Sequence, residues 1–335
     1  MTAENFKNIF DFNSQELKYK QIEDAVTAAV RDGRIRQGEI LPSVNEMSRV
    51  CSLSRDTVYK AYSNLKRHGQ IESVPNRGYF VCKPECKVFL LLDTFKAYKE
   101  VFYHSFRKAL NADISIDIRF HHYNIKVFEN AVKESLGHYS RYVIMNFDDR
   151  KIPKIICRIP REKLLLIDWN IHALSGVSKV WQDFGQGVYD ALKKNIDRIK
   201  KYGKFVFLYP EFTDHPRETV EYFRKFCADF EICHQILYSS AQFDVKKGEL
   251  YFLVSDRTLA NFLEQCQTKG LVPGKDSGVI SFNETPMKKY VSGGITVLST
   301  DFKMMGEKAA EFVKNPDTEG IDIKIPTEIL LRNSL

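Results

Sequence analysis

Between Leu41 and Val81 the sequence LPSVNEMSRVCSLSRDTVYKAYSNLKRHGQIESVPNRGYFV leaves the backbone little freedom, because each boundary in it has a chemical cause. Ser43 is placed to cap a first helix, and Glu46, three residues on, to complete a capping box. Ser54 is placed to cap a second. Within that second helix Val58, Ala61, Tyr62 and Leu65 fall at i, i+3, i+4 and i+7 and form one apolar stripe, with Arg55, Thr57, Tyr59 and Lys60 off it. Gly69 supplies the stop. Ile71 to Val74 and Tyr79 to Cys82 then read as strands around Pro75-Asn76-Arg77-Gly78, a turn with a basic tip. Upstream, Tyr19 to Asp32 reads as a helix with Ile22, Ala25, Val26, Ala29 and Val30 facing inward, ended by Gly33. Arg34 to Ile40 reads as loop. The expected unit is a winged helix-turn-helix, whose second helix suits a major groove while the hairpin tip reaches phosphate or the minor groove. A three-helix module used for protein contacts is the plainer alternative.

Charge alone does not mark this unit. Residues 1–82 hold 12 Lys or Arg against 10 Asp or Glu, a net +2, and the remainder holds 38 against 33, a net +5. Within 41–82 the balance is 6 against 3, with the cations where phosphate contacts are expected. Seven cysteines are dispersed without a CxxC pair, which suits reduced thiols in a cytoplasm. The apolar runs, such as Val88 to Leu92, are too short to span a bilayer, and no secretory signal is visible at the amino terminus. A cytoplasmic protein with no membrane partner is therefore expected. Residues 1–16, with Phe6, Ile9, Phe10 and Phe12, suit an arm or short helix.

From Lys87 the pattern becomes β/α alternation. Strands are expected at Val88 to Leu92, Ile114 to Phe120, Tyr142 to Met145, Leu164 to Ile167, Phe205 to Leu208, Ile232 to Leu237, Tyr251 to Val254 and Gly278 to Phe282. Helices are expected at Tyr98 to Leu110, Val127 to Leu136, Val188 to Lys201, Glu218 to Ala228 and Thr258 to Thr268. Short strands separated by helices argue for parallel sheets, and this many argue for two lobes. The domains expected are 1–82, a linker at 83–87, and a two-lobed α/β domain at 88–335. Such sheets bind ligands at the carboxyl ends of their strands.

Two resemblances sharpen this reading. KYKQIEDAVTAAVRDGRIRQGEILPS followed by LSRDTVYKAYSNLKRHGQIESVPNRGYFV resembles the DNA-binding domain of GntR-type bacterial transcription regulators, over about residues 17 to 82. SDRTLANFLEQCQTKGLVPGKDSGVISFNETPMKKYVSGGITVLSTDFKMMGEKAAEF, followed by IPTEILLRNS, resembles the end of the LacI/GalR-type sugar-sensing domain, which is related to periplasmic sugar-binding proteins. The combination is AraR-like. It implies a DNA-binding regulator, a repressor of carbohydrate-utilisation genes that a small sugar between the lobes releases or retunes. One departure stands out: between Leu237 and Leu250 there is little room for the helix that the second family usually places there.

A sugar presents hydroxyls around an apolar face, so its site needs directional polar side chains and an aromatic platform. The strand ends offer Asp93 and Phe95; His121, His122 and Tyr123; Asn146, Phe147 and Asp148; and Asp168 and Trp169. From the LacI/GalR resemblance, Arg217 stands where an arginine grips sugar hydroxyls. Ser255-Asp256 stands at an Asn/Asp-Asp position, and Asn283 replaces the first acid of FDDTP, here FNETP. Asp168 matches a family acid. The expected ligand set is Asp93, Phe95, Tyr123, Asn146, Asp168, Trp169, Arg217, Ser255, Asp256 and Asn283. The blander readings are that Asp256 caps the following helix, that Arg217 is a surface residue and that Trp169 is core. His121-His122 lacks a spaced acidic or Cys partner, so no metal is expected. The expected DNA-facing set is Ser43, Asn45, Ser54, Arg55, Asp56, Thr57, Tyr59, Lys60, Asn76, Arg77 and Gly78. Arg55 is suited to a bidentate grip on guanine. Asn45 and Tyr59 stand where relatives carry arginines, which leaves the operator sequence open.

No P-loop, GxSxG elbow or paired-carboxylate motif is visible, so neither an enzyme nor a cofactor is expected. A GntR-type head fused to a pyridoxal-phosphate domain is the enzymatic alternative, and the segment after the head is short for it. The expected partners are duplex DNA, a second copy of the chain and a monosaccharide, a pentose or deoxyhexose by analogy with AraR. A nucleobase or a sugar phosphate is the alternative effector.

Overall fold

The structure is a computed structural model that describes residues 16–335 apart from 37, 76, 83–85, 170–173 and 316–319. The expected amino-terminal arm, the linker's 83–85 and Asn76 at the wing tip lie outside the described residues. The chain divides into two compact units. One runs to Lys87 with 113–115, and the other comprises Val88–Ala112 and Ile116–Leu335.

The first unit is built on α1 (Lys18–Arg31), α2 (Val44–Cys51) and α3 (Arg55–Arg67). Ser43 accepts from the Glu46 N–H at 3.2 Å, and Ser54 from that of Thr57 at 3.1 Å, so both helix starts expected from the sequence are formed. The apolar stripe of α3 is buried against Ile22, Val26 and Ala29 of α1 and Met47 of α2. The segment before α2 is not all loop. Ile40–Leu41 form β1, which pairs antiparallel with β3 (Gly78–Val81), itself paired with β2 (Ile71–Val74). The wing is thus a three-stranded sheet in the order β1-β3-β2. Two residues carry no visible period, so β1 is legible only once its partner is known.

The second unit contains two six-stranded sheets. The first holds β4 (Lys87–Leu92), β5 (Ser115–Phe120), β6 (Arg141–Met145), β7 (Leu164–Asp168), β8 (Ser178–Gln182) and β14 (Asp322–Ile325), in the order β14-β8-β7-β6-β4-β5. The second holds β9 (Lys204–Leu208), β10 (His234–Leu237), β11 (Glu249–Leu253), β12 (Gly278–Phe282), β13 (Thr296–Thr300) and β15 (Thr327–Leu330), in the order β10-β9-β11-β12-β13-β15. β15 alone in this second sheet runs antiparallel to its neighbour. The chain therefore passes between lobes three times, after β8, after β13 and between β14 and β15. The central strands are buried along their whole length except for Lys87 at the start of β4, and this burial is why they read as continuous apolar runs.

The helices of the amino-terminal lobe are α4 (Ala97–Ala109), α5 (Ile125–Ser135) and α6 (Ile152–Ile156). It is completed by α11 (Phe302–Lys314), which approaches α4 so closely that a Cβ at Gly306 would lie 2.5 Å from the Phe102 carbonyl oxygen. The other lobe carries α7 (Gln186–Lys193), α8 (Ile196–Ile199), α9 (Glu218–Asp229) and α10 (Asp256–Lys269). The single helix expected over Val188 to Lys201 is broken into α7 and α8, because the Asn195 amide donates to the Ala191 carbonyl and competes with the helical ladder. Between β10 and β11 the described residues hold only a short 3₁₀ turn at Ser240–Gln242, in keeping with the missing helix.

Candidate functional site

In the first unit the start of α3 and the wing carry the polar groups. Asn45, Arg55, Asp56, Tyr59, Lys60, Arg77 and Gly78 are exposed, as are the caps Ser43 and Ser54, and Thr57 is half-buried. The Ser54 and Thr57 hydroxyls lie 2.7 Å apart, which fixes the first turn of α3. Tyr62 donates to the Pro42 carbonyl at 2.8 Å and packs edge-on against Tyr79, so one residue ties α3 to the chain before α2 and to the wing. The Lys60 ammonium lies 4.1 Å from the centre of the Tyr19 ring, drawn back along α1. The Arg77 guanidinium lies over Phe80 at 5.7 Å, which pre-orients it at the tip. An Arg at the first turn of one helix and another on the adjacent hairpin suit base and phosphate contacts respectively.

In the second unit a cavity of about 310 Å³ lies between the lobes at the carboxyl ends of their strands. Seven of the ten expected ligand residues sit directly at strand ends and line it: Asp93 after β4, Asn146 after β6, Asp168 and Trp169 at the end of β7, Ser255 and Asp256 after β11, and Asn283 after β12. Tyr123, from the loop after β5, is an eighth. Phe95 and Arg217 are not among the lining residues. Phe95 is 53% exposed and packs against Phe120. Arg217 is exposed at the start of α9. The contact from that loop comes from Thr213, Asp214, His215 and Pro216 instead.

The amino-terminal wall is an acidic network. Asp93 is buried and ion-paired to the fully buried Lys99, and it accepts from the Tyr123 hydroxyl. Burial lowers the Lys99 ammonium to about 8, opposed by Asp168 and Asp214, so it stays protonated at neutral pH. Burial raises the Asp168 carboxyl above its ordinary range, opposed by Lys99 and a hydrogen bond from Gln182. From the other lobe, Asp214 in the loop before α9 is also raised by burial, again opposed by Lys96 and Lys99. His121 is buried beneath this wall. Its Nδ1 accepts from the Tyr123 N–H at 3.1 Å, so its Nε2 carries the hydrogen donated to the Met145 carbonyl at 3.0 Å. Both nitrogens are thus engaged, and burial holds the ring neutral, with a pKa lowered to about 4. Among the described residues no cluster of three potential metal ligands occurs.

The opposite wall supplies an aromatic floor and one unsatisfied acceptor. Phe184 stacks on Phe282 at 5.9 Å, with Trp169 edge-on to Phe184 and His215 edge-on to Phe282 at 4.5 Å. Thr219 donates its hydroxyl to the Phe184 carbonyl and so accepts from His215 Nε2, leaving Nδ1 as an acceptor. Burial lowers this imidazole to about 3. Ser255, not Asp256, caps α10. Asp256 instead pairs with the buried Lys288 at 2.8 Å, and Lys288 also donates to the carbonyls of Phe282 and Asn283. The Asn283 Oδ1 is buried and finds no partner among the described residues. Tyr123, Asp168 and Asn283 all have left-handed backbone, at φ 57, 74 and 62, a conformation that clusters at ligand clamps. Trp181 faces away, its indole N–H donating to Asp322 between Lys179 and Lys324.

Residues 18–81 match the model of the gntR family of bacterial regulatory proteins. The amino-terminal module is a gntR-type regulator domain. Over 63 residues it is 35% identical to the HTH-type transcriptional repressor YtrA of Bacillus subtilis (strain 168), an alignment covering 19% of this chain. The chain spans about half the length of that relative, 48%. The second unit has the fold of LacI-family regulators. A Lac repressor structure bound to ONPG superposes with a TM-score of 0.61 at 14% identity, over 84% of this chain and 90% of that one. The regulator CelR in complex with cellobiose gives 0.60 at 13%, over 88% and 100%. A LacI-family regulator from Arthrobacter sp. FB24 in complex with lactose gives 0.59 at 13%, over 74% and 99%. Among the described residues no helix is long and apolar enough to cross a membrane.

Proposed function

We propose that the gntR-type head binds an operator as part of a homodimer and that an uncharged monosaccharide, held between the lobes of the second unit, retunes that binding. The protein then acts as a repressor in the cytoplasm, without catalysis. The observation that carries the reading is the cavity itself: directional carboxylates and amides on one wall, a stacked aromatic floor on the other, and a volume near the lower end of the roughly 300–1,000 Å³ of small-molecule pockets. Its charge decides between effector classes. Asp93 and Asp256 are paired with the buried Lys99 and Lys288, which leaves Asp168 and Asp214 beside Lys96 and Arg257, an even balance. The cations are thus matched without a ligand, and an uncharged ligand that donates hydroxyls to the carboxylates keeps that balance, whereas a phosphate dianion adds uncompensated negative charge. Of the ten expected residues the eight that line the cavity, Asp93, Tyr123, Asn146, Asp168, Trp169, Ser255, Asp256 and Asn283, would hold it, with Asp214 and His215 added.

The ligand must bind one arrangement of the lobes better than the other, or operator affinity does not move. The test is operator binding by the full chain to the DNA beside its own gene, with a panel of pentoses, deoxyhexoses, hexoses, their phosphates and nucleobases. An uncharged sugar is expected to change operator affinity by about 5- to 150-fold, the range of typical coupling energies. A response to a sugar phosphate or nucleobase only, or to nothing in the panel, overturns the proposal.

A further inference from the structure

Gln182 was not among the candidates, yet it lines the cavity and is only 4% exposed. Its amide is used at both ends. The Nε2 donates to Asp168 Oδ1, and the Oε1 accepts from the Thr300 hydroxyl at 2.8 Å. Thr300 and Thr327 hydroxyls lie 3.0 Å apart. Because the Thr300 hydrogen is spent on Gln182, Thr327 is the donor in that last contact. The chain of hydrogen bonds is therefore directional, from Thr327 through Thr300 and Gln182 to the carboxylate in the cavity. Its members occupy particular places in the fold. Gln182 ends β8, immediately before the first passage between lobes. Thr300 ends β13, before the second, and Thr327 begins β15, just after the third.

We propose that Gln182 is a positioning residue that couples the occupancy of Asp168 to the geometry of all three passages between the lobes. The proposal deepens the effector reading above. A hydroxyl that donates to Asp168 shares the carboxylate with the Gln182 N–H. The amide cannot turn to follow without giving up Thr300, so the change is delivered to β13 and β15 as well as to β8. Among the described residues the Asp168 carboxylate has no hydrogen bond of its own to β13 or β15, and Gln182 provides the path.

The test is hydrogen–deuterium exchange of the full chain without DNA or any added ligand, which separates it from the effector reading. Gln182→Met and Thr300→Val are expected to speed exchange in peptides covering 182–187, 299–303 and 325–328. The expected acceleration is about fivefold or more, the scale of losing one intramolecular hydrogen bond. Exchange within β6 and β11 stays as in the parent, and Thr300→Ser, which keeps the hydroxyl, restores protection. Asp168→Ala accelerates 299–303 and 325–328 from a distance, and adding it to Gln182→Met produces no further change. Three results would each overturn the proposal: unchanged protection in Gln182→Met, a Thr300→Ser variant that behaves like Thr300→Val, or additive effects of Asp168→Ala and Gln182→Met.

Discussion

Replacing Lys288 by methionine removes a charge from a buried position, and its cost follows from what the ammonium touches. Lys288 is 3% exposed, and its three donors go to the Phe282 carbonyl at 2.9 Å, the Asn283 carbonyl at 2.7 Å and Asp256 Oδ1 at 2.8 Å. Methionine fills a similar volume and satisfies none of them. Each buried carbonyl left without its donor costs about 1–3 kcal/mol. The Asp256 side chain is 63% exposed, so it rehydrates and its ion pair contributes little. Against this stands the relief of no longer desolvating an ammonium, which offsets part of the loss. The net is a destabilisation of about 2 kcal/mol, or a drop of roughly 4–8 °C in Tm at about 2–4 °C per kcal/mol for a unit of this size. The same change frees the Asn283 carbonyl that Lys288 holds, in a residue whose left-handed backbone costs about 1–3 kcal/mol to maintain. Calorimetric unfolding of the full chain reads the effect directly. A Tm within 1 °C of the parent, or above it, would refute the reasoning, since it would mean that the relief of desolvation matches or exceeds the cost of the two carbonyls (a shift below about 0.5 kcal/mol).

Acidification provides another check. His121 is fully buried and neutral, with a folded pKa near 4 against about 6.5 in the unfolded chain. The unfolded state therefore takes up the proton first. Stability from this residue is complete above about pH 6.5 and is lost as pH falls towards 4, by at most about 1.4 kcal/mol per pH unit. Asp168 and Asp214, whose carboxyls burial raises, act in the opposite sense on acidification, so the difference between variants is the quantity to measure. In urea unfolding at pH 7.5 and pH 5, His121→Gln is expected to lose about 2 kcal/mol less than the parent between the two pH values. Equal losses would show that the imidazole is not buried neutral. For the head, Arg55→Ala is expected to weaken operator binding by about 1–3 kcal/mol, the value of a bidentate contact to guanine, without altering the Tm of the second unit. An unchanged affinity in mobility shifts would remove Arg55 from the interface.

What the sequence made legible was what is local. Ser43 and Ser54 announce helix starts because the cap and the amide that it satisfies are three residues apart. Asp93, Asn146 and Asp168 are visible because each follows a run of buried strand residues that ends where water or ligand begins. Residues whose role depends on pairing across the chain were not visible. Gln182 matters through Thr300, 118 residues away, and β1 exists only because Phe80 and Tyr79 lie opposite it. Arg217 stands one residue beyond the part of its loop that lines the cavity. The loop Thr213 to Pro216 lines the cavity, and Arg217, which stands at the start of α9, is exposed and not among the lining residues. Asp214 and His215 were overlooked for the same reason, their identity being plain and their orientation set by the helix that follows.

Three passages of the chain between the lobes have a consequence for how this half of the protein can be varied. Neither lobe is one continuous stretch of gene: the amino-terminal one needs α11 and β14 from near residues 302–325, and the other needs β15 from beyond them. A chimera that exchanges a single lobe with a relative must therefore be cut at three places at once. One junction grafts a new front onto an old back and splits both sheets. The piece that recombination can transfer intact is the whole of the second unit, and a new head can be joined to it only in front of β4.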